Sequence, residues 1–292
     1  MKDYKRIPFP HLVNCRDLGG YACADGKFFA YHKIYRADAP AALNEEEWRY
    51  LKEEMGVRTI IDLRSTGEQR MTPYQVPEGI LRISCPMMAE ENWSGENDLS
   101  KMVDGQGAGM GGVAAGGAGA GSMGVRKAPA SITMEDLAKI REMLREKIAS
   151  APNDGFMKSL SRQYEEMLEE SPKRAATVLN HVGEHISEGA VLYHCSVGKD
   201  RTGVTSALIY LLCGVAEADI LADYQVSGDY LRQNEFIFAS MPEEMHCMME
   251  SKAETMRHFL KLAKERDYMG VLYANGLRES AAAAIREAVM EA

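Results

Sequence analysis

One short run of the chain combines residue types that can bind a phosphate and attack it: Cys195-Ser196-Val197-Gly198-Lys199-Asp200-Arg201, with Thr202 and Gly203 directly after it. It follows the apolar segment Ala190 to His194 and precedes the apolar stretch from Val204, so a strand, a tight loop and a helix start are juxtaposed. The backbone N–H groups of such a loop join the unpaired donors of the helix's first turn and line a concave anion site, with Ser196, Val197, Gly198 and Lys199 as its wall. Gly198 lets the backbone approach closely. The field that binds a phosphate dianion also favours a thiolate, so Cys195 is expected to be ionised and to attack phosphorus in line, with His194 helping to hold it. Arg201, six residues on, can return to the mouth of the loop and grip two equatorial oxygens with its planar fork. Lys199 adds a second cation, which suits substrates with more than one phosphate. An ATP-binding loop is excluded, because its spelling needs glycine where Tyr193 sits and Ser or Thr at Asp200.

The elements that must position this loop are legible around it. Arg58 to Leu63, Ile80 to Ser84 and Ala190 to His194 are short, β-branched or apolar segments bounded by turn residues, and helical patterns lie between and after them. The economical reading is an α/β fold with a mostly parallel sheet and crossover helices. Asn44 can cap a helix through Glu45-Glu46-Glu47 to Met55. Thr133 and Asp136 open another, with Leu137, Ile140, Leu144 and Ile148 on one face. Between them lies Gly105 to Gly124, twenty residues of which ten are glycine, after the polar stretch Glu90 to Asp104. Such a tract cannot repay its ordering entropy and reads as a flexible insertion. Its Gly107-x-Gly109-x-x-Gly112 spelling has no strand before it and no helix opening from it, so it is not a dinucleotide site. From Glu217 onward the chain reads as successive helices: Ala218 to Ser227, Tyr230 to Ala239, Glu243 to Glu265 and an alanine-rich last one. The methionines Met241, Met245, Met248, Met249 and Met256 read as packed core rather than a greasy substrate entrance.

A chain of 292 residues with 46% hydrophobic composition can bury a full core. Its 34 basic and 43 acidic residues give a net charge of −9, which argues against nucleic acid or an anionic membrane as partner. The start Met1 to Arg6 runs into Pro8 and Pro10 without the apolar stretch of a secretory signal. The apolar run Val204 to Ala216 has 13 residues, short of the roughly 20 a spanning helix needs. Six cysteines, Cys15, Cys23, Cys85, Cys195, Cys213 and Cys247, are scattered at long spacings with no C-x-x-C pair. A reducing, cytoplasmic compartment is expected, with a non-classical export route left open. Neither a metal nor a cofactor is expected, since His194 and Cys195 are adjacent rather than spaced to converge on one ion.

His194-Cys195-x-x-Gly198-Lys199-Asp200-Arg201-Thr202-Gly203 resembles the signature loop of cysteine-dependent protein tyrosine phosphatases. The Gly-Lys-Asp-Arg variant is similar to a bacterial and fungal group that also acts on phosphoinositides. That group carries an N-terminal Asn-Phe-Arg-Asp-Leu-Gly-Gly-Tyr, and this chain has Asn14-Cys15-Arg16-Asp17-Leu18-Gly19-Gly20-Tyr21. Tyr35-Arg36-Ala37-Asp38, Ile61-Asp62-Leu63-Arg64-Ser65 and Asp219-Ile220-Leu221-Ala222-Asp223-Tyr224 extend the likeness over most of residues 11 to 228. The departures are Cys15 in place of the usual aromatic and the glycine-rich tract where relatives carry a helical lid. The resemblance implies a three-layer α/β fold, a central mostly parallel sheet flanked by helices, in a single domain 1–292 with a lid-like insertion at 89–155.

It also implies roles. Two-step phosphoryl transfer needs a proton for the leaving oxygen and then a base to activate water. Neither Trp48 nor Trp93 is followed by Pro-Asp, so no separate acid loop is visible, and relatives place this acid at the position of Asp200. Asp200 could instead bond loop amides or pair with Lys199, which would leave Asp98 or Asp62 as candidates. Thr202 would donate its hydroxyl to the departing thiolate, or cap the helix. Arg16, Asp17, Arg36 and Arg64 lie near the pocket by resemblance, with buried structural ion pairs as the equal alternative. The expected activity is hydrolysis of phosphotyrosine in proteins, extending to phosphoinositides or phosphoserine and phosphothreonine. An inositol phosphate or lipid phosphatase is the alternative, and a phosphate-binding pseudophosphatase the non-enzymatic one. A sulfurtransferase or arsenate reductase fits neither motif well.

Overall fold

The computed structural model describes residues 5–88, 164–233, 246 and 249–291. The glycine-rich tract, the helix expected after Thr133, Trp93, Asp98, Cys247, most of Tyr230 to Ala239, and Met241, Met245 and Met248 lie outside the described residues.

Five strands form the main sheet: β1 (Arg16–Asp17), β3 (Ile34–Ala37), β4 (Val57–Asp62), β5 (Leu81–Ser84) and β6 (Ala190–His194). Their spatial order is β1-β3-β6-β4-β5, with β1 antiparallel to β3 and the other four parallel. The expected parallel α/β architecture is therefore present, and β6 lies at its centre. A small second sheet pairs β2 (Phe28–Phe29) with β7 (Met290–Glu291). Alternation along the strands feeds two cores. Ile34, Ile61, Val191 and Tyr193 enter the larger one, whereas Tyr35, Ala37, Ile60 and Leu192 enter the smaller one on the opposite face. Burial on both faces is why these strands read as nearly unbroken apolar runs.

Helix α1 (Glu45–Glu53) places Leu51 on the smaller core, and its Asn44 and Glu47 close the capping box that its acidic start foreshadowed. Helix α2 (Thr66–Met71) is a short connection between β4 and β5. The larger core gathers α3 (Pro172–His185), α4 (Asp200–Leu212), α5 (Glu217–Arg232), α6 (Ala253–Glu265), α7 (Tyr268–Ala274) and α8 (Glu279–Val289). Every residue of α4 from Arg201 to Tyr210 is buried, which explains its lack of a polar stripe. Of the helix expected from Glu243 to Glu265, the part Ala253–Glu265 is present and starts after an extended Lys252 (φ −73°, ψ 132°), while 243–245 and 247–248 lie outside the described residues. Met256 is fully buried, as its reading as core required. Among the described residues, no helix is long and apolar enough to cross a membrane.

One polar cluster ties the N-terminal segment to α5. Arg16 and Arg36 stand directly opposite each other on β1 and β3, an arrangement that like charges disfavour without an anion between them. Asp223 of α5 supplies it: Arg16 Nε donates to Oδ1 at 3.1 Å, and Arg36 Nη1 donates to Oδ2 at 2.8 Å. Arg16 Nη2 adds bonds to the Asp223 carbonyl and to Ser227 Oγ, both 2.8 Å. Burial alone would push the Asp223 carboxyl up, but Arg16, Arg36 and Lys5 outweigh it and hold the group well below the usual range. Asp223→Ala is therefore expected to destabilise the fold by about 3–5 kcal/mol, since two buried guanidinium groups lose their counter-charge. Urea unfolding measures it, and a loss under about 1 kcal/mol would show that the cluster is not needed.

Candidate active site

At the carboxyl end of β6 the chain turns through residues 195–199 into α4. The turn's carbonyls all point away from its interior, and each has a donor. Cys195 O accepts from His194 Nδ1 (2.9 Å), Ser196 O from Ala39 N (3.2 Å), and Val197 O from Asn14 Nδ2 (3.1 Å). Gly198 O accepts from Asn14 Nδ2 (2.9 Å) and Arg36 Nη2 (2.8 Å), and Lys199 O from Gly203 N (2.8 Å) and Arg36 Nη2 (3.4 Å). In a trans peptide the carbonyl and the following N–H point in opposite directions. The N–H groups from Ser196 to Asp200 therefore turn inward, around the Cys195 sulfur. The Gly198 N–H shows this directly, donating to Sγ at 3.2 Å. Gly198 has φ +72°, and a Cβ there would lie 2.6 Å from the Ala37 carbonyl carbon and oxygen, so only glycine fits.

The N-terminal motif is the scaffold behind this loop. Asn14 receives a 2.5 Å bond from Arg16 Nη1 on its Oδ1, which aims its Nδ2 at the two loop carbonyls. Its backbone N–H donates to Asp38 Oδ1 at 2.9 Å. Asp17 accepts from the N–H groups of Gly19 (2.8 Å) and His32 (2.7 Å). Arg64 donates to Asp62 through Nε (2.9 Å) and Nη2 (2.8 Å). Arg16, Asp17, Arg36 and Arg64 are all fully buried, and Arg16, Arg36 and Arg64 are in ion pairs with Asp223 or Asp62, whereas Asp17 is held by backbone amides. Cys15 fills the smaller core, across the sheet from Cys195.

Arg201 sits in the first turn of α4, and its orientation comes from a residue the sequence reading did not single out. Glu68 of α2 accepts Arg201 Nη1 on Oε2 (2.6 Å) and Nη2 on Oε1 (2.8 Å), and also Ser196 Oγ on Oε1 (2.5 Å). Its Oε2 further accepts the Ser65 N–H at 2.9 Å, closing a capping box at the start of α2. Burial would push this carboxyl up, but Arg201, Ser196 and the Ser65 amide hold it at about 2. Two of the guanidinium's N–H donors go to one carboxylate, which fixes the plane of the fork. The Ser65-Thr66-Gly67-Glu68 spelling does announce a helix start, but not this second partnership.

The remaining expected residues are distributed around the ring. Asp200, the first residue of α4, is 28% exposed, and its Oδ1 accepts from Tyr164 Oη at 2.8 Å with Lys199 Nζ 3.6 Å away. Lys199 is buried and donates to the Glu250 carbonyl at 3.0 Å. The Thr202 hydroxyl is fully buried, with no hydrogen-bond partner among the described residues. Asp62 is buried between Arg64 and Arg82; burial pushes it up, but these hydrogen bonds and the nearby charges hold it at about 2, which suits an ion-pair partner rather than a proton donor. His194 does not reach the sulfur. Its Nδ1 carries the proton, because the Cys195 carbonyl can only accept, and its Nε2 accepts from Tyr74 Oη at 2.6 Å. Burial lowers this imidazole to about 4 despite the Asp62 charge nearby.

A family model described as the tyrosine phosphatase family matches residues 7–291 of the chain. A tyrosine-protein phosphatase of Nostoc commune is 38% identical over 76 residues, 26% of this chain and 26% of that protein. A Cupriavidus necator protein, provisionally named a tyrosine-protein phosphatase, is 24% identical over 225 residues, 76% of this chain and 63% of that one. The matched parts thus span less than two thirds of either relative.

The buried His194 gives a pH prediction. A native imidazole at about 4 against 6.5 when unfolded contributes stability that is fully present above pH 6.5. That stability is lost as pH falls from 6.5 toward 4, because only the unfolded chain then takes up the proton. The urea midpoint of the native chain should fall across this window, and His194→Gln should flatten the fall. Parallel curves for the two proteins would count against a neutral His194.

Proposed function

The chain belongs to the tyrosine phosphatase family, and from that premise we propose that it hydrolyses phosphotyrosine in proteins through a phosphocysteine intermediate. The observation that carries this reading is the ring at the end of β6, with the Cys195 sulfur inside it and the Gly198 N–H aimed at that sulfur from 3.2 Å. A phosphate seated there has its nonbridging oxygens among inward N–H groups and the Arg201 fork, and the sulfur behind phosphorus, opposite the ester oxygen. Cys195 attacks, and Asp200 gives the leaving oxygen its proton. Asp200 then takes a proton from the water that attacks the phosphocysteine. Thr202, buried and with its hydroxyl unpartnered among the described residues, is the donor to the departing sulfur. Ser196, Val197, Gly198 and Lys199 complete the substrate-binding wall.

The ring reads the phosphate and not the group that carries it. Phosphoseryl, phosphoinositide and inositol phosphate esters are therefore the other arms of a substrate panel, compared by kcat/KM. Lys199 supports positioning more than a second phosphate subsite, since its ammonium is turned to the Glu250 carbonyl and Asp200 Oδ1. In the same proposal residues 1–292 work as one phosphatase domain with 89–155 as an insertion, in a reducing cytoplasm.

Cys195→Ser should abolish turnover, by at least about a thousandfold, while vanadate still binds to the remaining donors. Retained turnover would remove Cys195 as nucleophile, whereas absence of turnover in the native chain, with vanadate still bound, would leave the pseudophosphatase reading. Asp200→Asn should slow a phosphotyrosyl peptide by about 10²–10³-fold but an aryl phosphate with a very acidic phenol far less, because the latter hardly needs a proton to depart. Equal losses on both substrates would mean that Asp200 only shapes the loop.

A further inference from the structure

The carboxylate of Asp200 is held by a chain of hydroxyls that the reaction scheme does not yet use. Tyr164 Oη donates to Asp200 Oδ1 at 2.8 Å and lies 2.8 Å from Tyr224 Oη on α5. A phenol has one proton to give, so Tyr164 spends it on the carboxylate and accepts from Tyr224. Both rings are buried and locked by edge-to-face packing, Tyr164 against Tyr224 and against Phe259 of α6, each with centroids 6.2 Å apart. Burial, with the Asp200 charge beside it, pushes the Tyr164 phenol well above its ordinary value, so the hydroxyl stays protonated and remains a donor. Lys199 Nζ, anchored on the Glu250 carbonyl, approaches the same oxygen at 3.6 Å. Oδ1 is thus the occupied oxygen, and among the described residues Oδ2 has no hydrogen-bond partner.

We infer that Tyr164, backed by Tyr224, is the positioning residue of Asp200: it fixes the carboxyl plane and makes Oδ2 the oxygen that carries the proton. The inference rests on Asp200 being the general acid and base. As the sulfur–phosphorus bond forms, the ester oxygen leaves with the bonding electron pair and takes the Oδ2 proton. The new carboxylate charge settles against the Tyr164 O–H and the Lys199 ammonium. In the second step a water oxygen bonds phosphorus and the sulfur leaves with its electron pair, while Oδ2 recovers a proton from that water. A hydroxyl that stabilises the ionised carboxylate also sets the pH at which the acid is lost. Among the described residues, the charged and titratable groups facing Asp200 are Tyr164 and Tyr224, Lys199 on the loop, and Arg201 beside it on α4.

The test compares Tyr164→Phe, Tyr224→Phe and Asp200→Asn in the full chain, on a phosphotyrosyl peptide and on an aryl phosphate with an acidic phenol. Tyr164→Phe keeps the ring and removes the donor, so it should lower kcat on the peptide by about 10–30-fold and on the activated ester by less than about threefold. The limb of the peptide's rate profile that falls with rising pH should move up by about one unit, because the acid keeps its proton longer without the donor. Tyr224→Phe should do the same more weakly. If Asp200→Asn shows the leaving-group difference but the tyrosine variants leave that difference and the limb unchanged, the inference is overturned and Asp200 stands. Equal losses on both substrates with Asp200→Asn overturn the acid assignment itself, and the inference with it. Equal losses on both substrates with Tyr164→Phe and an unshifted limb would make Tyr164 a packing residue and overturn the inference alone.

Discussion

A loop that holds a dianion with its own N–H groups must turn its carbonyls outward, and every carbonyl so turned must find a donor in the interior of the protein. That constraint organises the structure around residues 195–199. Their carbonyls point into the protein, where a neutral amide and a guanidinium meet the middle of the loop. Asn14 Nδ2 and Arg36 Nη2 both reach Gly198 O, at 2.9 and 2.8 Å. Asn14 is aimed by Arg16, and Arg16 and Arg36 are both aimed by Asp223. One buried carboxylate on α5 therefore sets the two supports of a loop on the far side of β3. The cost of burying these charges is met by hydrogen bonds on nearly every donor, the condition under which a buried ion cluster can persist.

The rim of the ring follows a second logic. Arg201 is held in one plane by Glu68, through two parallel bonds from a short helix whose own first turn Glu68 also caps. Because the same carboxylate takes the Ser196 hydroxyl, it joins both ends of the ring. A carboxylate held at about 2 stays ionised across the whole neutral range, so this clamp does not titrate where the chemistry would run. His194 behaves alike from the other direction. Lowered to about 4, it is a neutral donor to the Cys195 carbonyl, fixed by Tyr74. Asp200 differs from both. It is partly exposed and is held on one oxygen, as the proposed proton exchange with substrate and water would require.

Much of this was legible in the sequence. The strand Ala190 to His194, the glycine that alone tolerates φ +72° at 198, the cap at Asn44 and the helix start after Lys199 are encoded by side chains and backbone within a few residues of one another. Such signals survive without knowledge of the fold, because the interactions that cause them are local. The chemistry expected of the loop rests on signals just as local, since valence, size and donor geometry limit what cysteine, glycine and arginine can do there. What only the tertiary structure decided is which partner each charged group takes. Arg201 meets Glu68 across 133 positions of sequence, Arg36 meets Gly198 across 162, and Tyr164 meets Asp200 across 36. Sequence left Arg16, Asp17, Arg36 and Arg64 divided between pocket and ion pair, turned Lys199 toward a second phosphate, and aimed His194 at the sulfur. Each depended on which elements the sheet order brings together, and a long charged side chain carries no local mark of its partner, because many pairings satisfy its charge and packing selects one.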